Sequence, residues 1–403
     1  MSELYTLPDG WEWKNISDVI LDIRTGTTPP KNEQKYYDNP SIRWFAPSDF
    51  GEHKELIESK NKINEIAIID KKAKIYQPNS LLLVAIGATV GKIGIIRNEA
   101  TSNQQITVLK FKDYIDVDFS YYWFMRIKQI IIDSASTATL PIINQNGIKS
   151  LPFPFIQLEE QKRIVAKLDN LFAKIDKAIA LHQKNIDEAN IFMASVLNDV
   201  FVELEEKYSS KTVYELCTKI TDGTHSTPKY IDSGIPFLSV KNISQGVISF
   251  DDTKFISIEE HNLLSKRCNV EKNDILYTKV GTTGIAKVVD TDIEFSIFVS
   301  IALLKPKKDL ISSMYFQHIL NSPNCYEQSQ SRTRGVANRN LVLNDIKQIF
   351  FPLPPLKTQQ KVVAYLDEIS NKMEKIKQIQ KDKMQSLKAL KASILDQAFK
   401  GEL

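Results

Sequence analysis

The chain is poor in cysteine: Cys217, Cys268 and Cys325 are its only three, all in the second half and none at disulfide-framework or metal-ligand spacing. That excludes a disulfide-stapled fold and a cysteine-built metal centre, and leaves apolar thiols of a reducing compartment. The five histidines, His53, His182, His225, His261 and His318, are scattered and form no metal pattern. No apolar run approaches the roughly 20 residues of a membrane span. The longest candidate, residues 80–96, is cut by Gly87, Gly91 and Gly94. The N-terminal stretch MSELYTLPDGWEW lacks a basic start followed by an apolar core, so a secretory signal is not expected and a cytoplasmic location is. An excess of one charge is also missing. Net charge is +3 over 403 residues, which argues against a chain that grips polyanions strongly by itself.

Catalytic patterns are equally scarce. Gly87-Ala-Thr-Val-Gly-Lys-Ile has three residues between its glycines instead of four, and Ile93 stands where a phosphate-binding loop needs Ser or Thr. Asp49, Glu52 and Lys54 are spaced too tightly for a metal-dependent nuclease site and read as a polar loop. There is no Asn/Asp-Pro-Pro-Tyr/Phe tetrapeptide, no Gly-x-Gly-x-x-Gly loop and no paired histidine at helical spacing. Neither catalytic residues nor a metal site nor a cofactor of its own is expected.

What is present is an internal repeat. FPFIQLEEQKRIVAKLD (153–169) aligns on FPLPPLKTQQKVVAYLD (351–367), and the match runs without a gap to Phe201 and Phe399 at a constant offset of 198. The preceding stretches repeat more loosely: GTTPPK (26–31) on GTHSTPK (223–229), IRWFAPSDF (42–50) on IPFLSVKNI (235–243), and residues 76–91 on 270–284. Retained helices with diverged globular parts suit a frame carrying two heads that do different versions of one job.

Prolines 152, 154, 352, 354 and 355 close the two globular stretches. Beyond them, neither Pro nor Gly occurs from Leu158 to Gly223 or from Leu356 to Gly401. Leu158, Val165, Phe172, Ile179, Ile186, Met193 and Val200 keep a seven-residue period, with a second seam through Leu168, Ile175, Ala189 and Val196. The C-terminal segment offers Leu366, Ile369, Met373, Ile376, Leu387, Leu390 and Ile394. Such spacing predicts a coiled coil, with pairing through Phe172, Ile175, Ile179 and Ile186 against Met373, Ile376, Leu387 and Leu390. Charge agrees: residues 157–206 hold six basic and ten acidic side chains, whereas residues 355–403 hold ten basic and six acidic. An uninterrupted helix over 158–200 spans ~65 Å. Paired antiparallel with the C-terminal helix, it places one head at each end, a separation bounded by about 19 base pairs.

The fold class expected is therefore α+β or mixed: two similar α/β domains separated by two long helices in an antiparallel coiled coil, with a pseudo-two-fold internal repeat. The boundaries are 1–156 and 207–354 for the domains, and 157–206 and 355–403 for the helices. Short β-rich runs at 80–86, 107–111, 274–277 and 298–304 and a helix over 119–132 fit the domains.

Polar loops recur at matching places in both domains. Arginine forks match guanine edges and asparagine matches adenine edges, while lysine and threonine suit phosphates. The candidate DNA contacts are Thr25, Lys31, Arg43, Ser48, Thr89, Lys92, Thr139 and Asn144 in the first domain. In the second they are His225, Lys229, Lys241, Lys279, Thr282, Arg332, Arg334 and Arg339. Charges balance at 18 and 18 in residues 1–156 and at 18 basic and 15 acidic in residues 207–354. A partner is expected to supply much of the grip on DNA.

With its Pro-rich entries into Gln161-Lys162-Arg163 and Gln359-Gln360-Lys361 helices, its Gly26 and Gly223 loops and its Gly281–Gly284 loop, the whole chain resembles the specificity subunit of type I restriction–modification systems. The resemblance implies two target-recognition domains, each reading half of a gapped site in double-stranded DNA. It implies helices that dock modification subunits, two of them, which carry S-adenosylmethionine and methylate adenine. Separate restriction subunits would translocate and cleave, and this chain would do no chemistry. The competing reading from the residues is a two-headed scaffold that grips protein partners across a coiled coil.

Overall fold

The computed structural model describes residues 5–135, 140–335 and 339–403. The chain forms two compact units, Met1–Leu181 with Asp382–Leu403, and His182–Lys381. Each therefore combines a globular part with a stretch of both long helices.

In unit 1 an antiparallel four-stranded sheet has the order Ile20–Thr25, Ile106–Phe111, Ser80–Val84, Ile93–Ile96. A three-stranded sheet places Ile42–Phe45 between Asn61–Ile63 and Thr101–Ser102, and a two-stranded ribbon pairs Glu12–Asn15 with Pro152–Phe155. Unit 2 repeats all three. Its four-stranded sheet runs Cys217–Asp222, Ile301–Pro306, Ile275–Thr278, Ala286–Val288; its three-stranded sheet centres on Ile235–Leu238; its ribbon pairs Ser210–Thr212 with Phe350–Pro352.

The run Ser80–Val84 is wholly buried because both of its faces are covered. Successive strand residues point to opposite faces, so Leu81 and Leu83 join the core with Phe119, Trp123 and Phe153, while Leu82 and Val84 join a second core with Phe45 and Phe50. Ile275, Tyr277 and Leu276 divide in the same way in unit 2. Burial pushes the Cys217, Cys268 and Cys325 thiols up to about 12, 11 and 12, so they remain protonated core filler.

The helix expected over 119–132 is two helices, Val117–Arg126 and Lys128–Asp133, broken where Ile127 leaves helical geometry at φ −89°, ψ 14°. The strand expected over 298–304 begins only at Ile301, because Phe298 is held back by a bridge to Thr224.

The long helices are Leu158–Lys207 and Leu356–Phe399. They run antiparallel within each unit. In unit 1 Asp176 pairs with Lys391 at 2.7 Å, and Arg163 donates to the Leu403 carbonyl at 3.0 Å, so numbers rise on one helix as they fall on the other. In unit 2 His182 Nδ1 lies 2.5 Å from Gln380 Oε1, while Phe201 and Leu204 share a core with Leu366. Phe172, Ile175 and Ile186 are buried, and Ile179, Met373 and Leu387 are half-buried. Ile376 and Leu390 correct the expectation: they are 39% and 48% exposed. The half-buried seam instead passes through Met373, Lys377, Gln380, Met384, Leu387 and Lys391 before reaching buried Ile394. Lysine stems and a carboxamide occupy seam positions, so selecting only apolar residues lands one step off the seam.

Two fully buried glutamines, 198 positions apart, fix each helix to its globular part. Gln161 accepts from Asp116 N at 2.8 Å and donates to the Ile156 and Tyr114 carbonyls at 2.7 and 3.2 Å. Gln359 accepts from Ser312 N at 2.9 Å and donates to the Pro354 and Leu310 carbonyls, both at 2.8 Å. Asp116 and Ser312 are themselves the N-caps of the helices Val117–Arg126 and Ser313–Leu320. Eight residues further along, about two turns, Asp169 accepts from Tyr122, and its repeat counterpart Asp367 lies 3.0 Å from His318.

In unit 1 Asp118 is gripped by Arg97 at 2.6 Å and Lys54 at 2.9 Å, and Lys54 also reaches Asp169 at 2.7 Å. Burial raises the Asp118 carboxyl pKa, but the two cations more than offset this and hold it below its ordinary 3.8. A folded-state pKa below the unfolded one adds stability that is full above the unfolded value and lost as pH falls through the folded value. Unit 1 should lose stability below pH ~4, and Asp118→Asn should flatten that acid loss while costing about 2 kcal/mol at neutral pH. All four tryptophans, Trp11, Trp13, Trp44 and Trp123, belong to unit 1, so urea unfolding followed by their fluorescence measures this directly. The same readout separates the glutamines. Gln161→Leu strands buried backbone groups and should shift the tryptophan transition by about 2–4 kcal/mol, whereas Gln359→Leu should move the far-UV circular dichroism transition and leave the tryptophan one in place.

Candidate nucleic-acid interface

Strand ends and turns gather into one cluster in each unit, and two glycines pin them. Gly26 ends the first strand of its sheet, and a Cβ there would lie 2.0 Å from the Asn103 carbonyl oxygen. Gly223 holds the matching place, with a Cβ 2.1 Å from the Ile297 carbonyl oxygen. Only glycine allows backbone this close. Gly26 N donates to Ile106 O at 2.9 Å and Gly223 N to Ile301 O at 3.2 Å.

A second turn joins each cluster. Gly87 N donates to Pro141 O at 3.0 Å, and Gly281 N to Arg339 O at 2.9 Å. Gly87, Gly91, Gly281 and Gly284 all have φ between 77° and 108°, the left-handed region that glycine favours. Gln145 then donates to Thr25 Oγ1 at 2.9 Å, tying the segment before the ribbon to the Gly26 loop. In unit 2 Leu341 N donates to Lys279 O at 2.7 Å, and Arg334 and Asn340 exchange backbone hydrogen bonds of 2.9 Å. Loops distant in sequence thus meet as one polar surface.

The candidate contacts are distributed unevenly over it. Thr25 and Thr89 are half-buried and Ser48 is exposed on the single turn Pro47–Asp49. Lys31 is exposed and shares a depression with Trp44, Ala46 and Asn103. Lys92 donates to Phe50 O at 3.1 Å. Asn144 caps the helix Gln145–Lys149 through its carboxamide oxygen. Arg43 pairs with Glu58 at 3.2 Å and lines a depression with Glu65, Ile68 and Glu99, so it is not gathered with the Gly26 loop. Thr139 lies outside the described residues.

In unit 2 His225, Lys229, Thr282, Arg334 and Arg339 are exposed. Arg334 pairs with Asp345 at 3.3 Å, Arg339 bonds Gln330, and Arg332 Nη1 donates to Gln328 O of its own helix at 3.0 Å. Lys241 pairs with Asp252 at 2.9 Å. Lys279 requires correction as a phosphate contact. It is 5% exposed and its ammonium lies 3.1 Å from buried Asp222, so its charge is used inside the fold.

The clusters also contain residues that the loop reading left out: Gln104 accepts from the Thr28 hydroxyl, Gln105 donates to Ile86 O and Gln145 to Thr25 in unit 1, and Arg267 donates to Asp222 in unit 2. Gln104 and Gln105 are an adjacent amide pair visible in the sequence, whereas Arg267 has no local signal. The Thr27 hydroxyl and the Asn340 carboxamide oxygen, one in each cluster, are buried without a hydrogen-bond partner among the described residues. Buried polar atoms without a partner are uncommon in folded proteins.

The nuclease-like Asp49 is structural: its carboxylate accepts from Ala46 N at 2.7 Å and Lys60 N at 3.0 Å. Among the described residues no group of three or more His, Cys, Asp or Glu could hold a metal ion, and no helix is long and apolar enough to cross a membrane.

Fold and loops together define a protein with two related binding heads on a helical frame. The family model for the type I restriction modification DNA specificity domain matches residues 8–189 and again 205–382. The EcoBI specificity subunit of Escherichia coli is 26% identical over 75% of this chain and 69% of its own length. The MjaIX specificity subunit of Methanocaldococcus jannaschii is 23% identical over 100% and 95%. A solved chain from a study of assembly and conformational transition of the type I R-M system has a TM-score of 0.78 at 20% identity, covering 99% of this chain and 100% of that one. The HsdS subunit from Thermoanaerobacter tengcongensis has a TM-score of 0.52 at 21% identity over 99% of each chain. The chain belongs to the family of type I restriction–modification DNA specificity subunits. It is the non-catalytic recognition component of such a system, distinct from the subunits that methylate and cleave, and its partners are DNA and those subunits.

Because the glycine contacts are backbone to backbone, Gly26→Ala or Gly223→Ala should abolish sequence-selective DNA protection by the assembled complex with far-UV circular dichroism unchanged. Protection at wild-type level would show that the loops absorb the added methyl group.

Proposed function

We propose that each unit reads one half of a bipartite, gapped DNA site. Residues 1–156 and 207–354 act as the two target-recognition domains, and residues 157–206 and 355–403 as spacer helices. The helices set the separation of the half-sites and dock two modification subunits. Those subunits carry S-adenosylmethionine and methylate adenine, while restriction subunits translocate and cleave. The observation that carries this reading is the repetition of one loop cluster, pinned by Gly26 and by Gly223, on two cores tied to their helices by the equivalent Gln161 and Gln359. One retained frame with two diverged loop sets suits a common partner surface and two different half-sites. The near-balanced charge of both globular parts suits a reader whose phosphate grip is shared with partners.

The test is to co-express the chain with its modification subunits and map methylated adenines over a genome. The expected result is two short sequences separated by an unread gap of fixed length. Inserting one heptad within residues 174–185, together with one within residues 372–383, keeps the seam in register. That variant should methylate the same two half-sites with a longer gap. Methylation at the original spacing would refute the spacer role, and absence of selective DNA protection by the assembled wild-type complex would favour a protein-binding scaffold.

A further inference from the structure

The two loop clusters carry different side chains at matched backbone positions. Ala85 N donates to Gln105 O and Ile143 N to Ala85 O, at 2.8 and 3.0 Å; Lys279 N donates to Ser300 O and Leu341 N to Lys279 O, at 3.0 and 2.7 Å. With Gly26 and Gly223 equivalent, these bonds put Thr25 opposite Asp222, Ala85 opposite Lys279, Gln105 opposite Ser300 and Gln145 opposite Leu343. Unit 1 is neutral here. Its Thr25 hydroxyl is held by Gln145, and Gln105 Nε2 reaches Ile86 O at 3.4 Å.

Unit 2 has a charged centre instead. Asp222, 4% exposed, accepts from Lys279 at 3.1 Å, lies 3.3 Å from His225 Nε2, and takes a hydrogen bond from Arg267 Nη2. A buried carboxylate needs one cation to be tolerated, and Lys279, itself buried, supplies it. Arg267 is thus surplus to neutrality. Its side chain remains 53% exposed, and Asp222 anchors it through Nη2. A half-exposed guanidinium anchored at one nitrogen, with positive charge in excess, can offer its remaining donors as a fork to a pair of acceptors. In the DNA major groove that pair is O6 and N7 of guanine.

We propose that Arg267, oriented by Asp222, reads a guanine in the half-site of unit 2, a contact without counterpart in unit 1. This rests on the reading that each unit contacts its own half-site. Arg267 is the specificity residue and Asp222 the positioning residue.

The experiment selects DNA bound by the complete complex with its modification subunits, from a library randomised in one half-site at a time. Wild type should enrich a guanine at one position of one half-site. Arg267→Gln and Arg267→Lys should each reduce that preference about tenfold or more and leave the other half-site unchanged. Asp222→Asn should weaken the same preference and no other. Retention of the preference by Arg267→Lys would mean that a cation without the guanidinium fork suffices, and would overturn the proposal. So would an effect of Arg267→Gln at a position that is not guanine, or no effect at all. A preference unmoved in Asp222→Asn would overturn the positioning role. Wild-type complex that enriches no two-part sequence would refute the half-site reading itself, an outcome distinct from an intact two-part sequence indifferent to Arg267.

Discussion

Gln161 and Gln359 decide how each long helix leaves its globular part. Each carboxamide is fully buried and joins three backbone groups: the amide of the N-cap of a neighbouring helix, the carbonyl before that helix, and the carbonyl at the start of its own. Three directional bonds fix both position and roll of the helix at its entry, which dispersive packing alone does not. Once that entry is fixed, the seam residues further along face their partner helix. The contact at Asp169 or Asp367 then repeats the constraint about two turns later.

The frame is retained and the reading ends diverge because their physical demands differ. The cores of both units solve one problem, burying a four-stranded sheet on both faces, and they solve it with the same strand order. Close backbone approach at Gly26 and Gly223 is likewise independent of the ligand. Side chains beyond those pins are free to change. Thr25 with Gln145 in one unit and Asp222 with Lys279 and Arg267 in the other present a neutral and a cationic surface from the same backbone. The near-balanced charge of each globular part offers little non-specific attraction to phosphate by itself.

Much of the fold was legible. An offset of 198 residues without a gap, and two stretches free of Pro and Gly, state the repeat and its helices in one dimension. The seam was legible only in part: periodicity found Phe172, Ile175, Ile186 and Met373 but assigned Ile376 and Leu390 to it, because Lys377, Gln380 and Lys391 occupy the true positions with polar side chains. Helix 119–132 was read as continuous because nothing in the residues around Ile127 announces a break.

The candidate site was legible as a set of loops and not as a set of roles. Composition and recurrence by themselves picked out the glycine turns and the Arg332, Arg334 and Arg339 loop, since local chemistry and spacing are one-dimensional facts. Only the tertiary structure decided that Lys279 is a buried partner of Asp222, that Arg43 belongs to Glu58, and that Arg267 joins the cluster at all. Whether a charge is available or already neutralised depends on neighbours tens of residues away, such as Asp222 and Lys279, which the fold brings together.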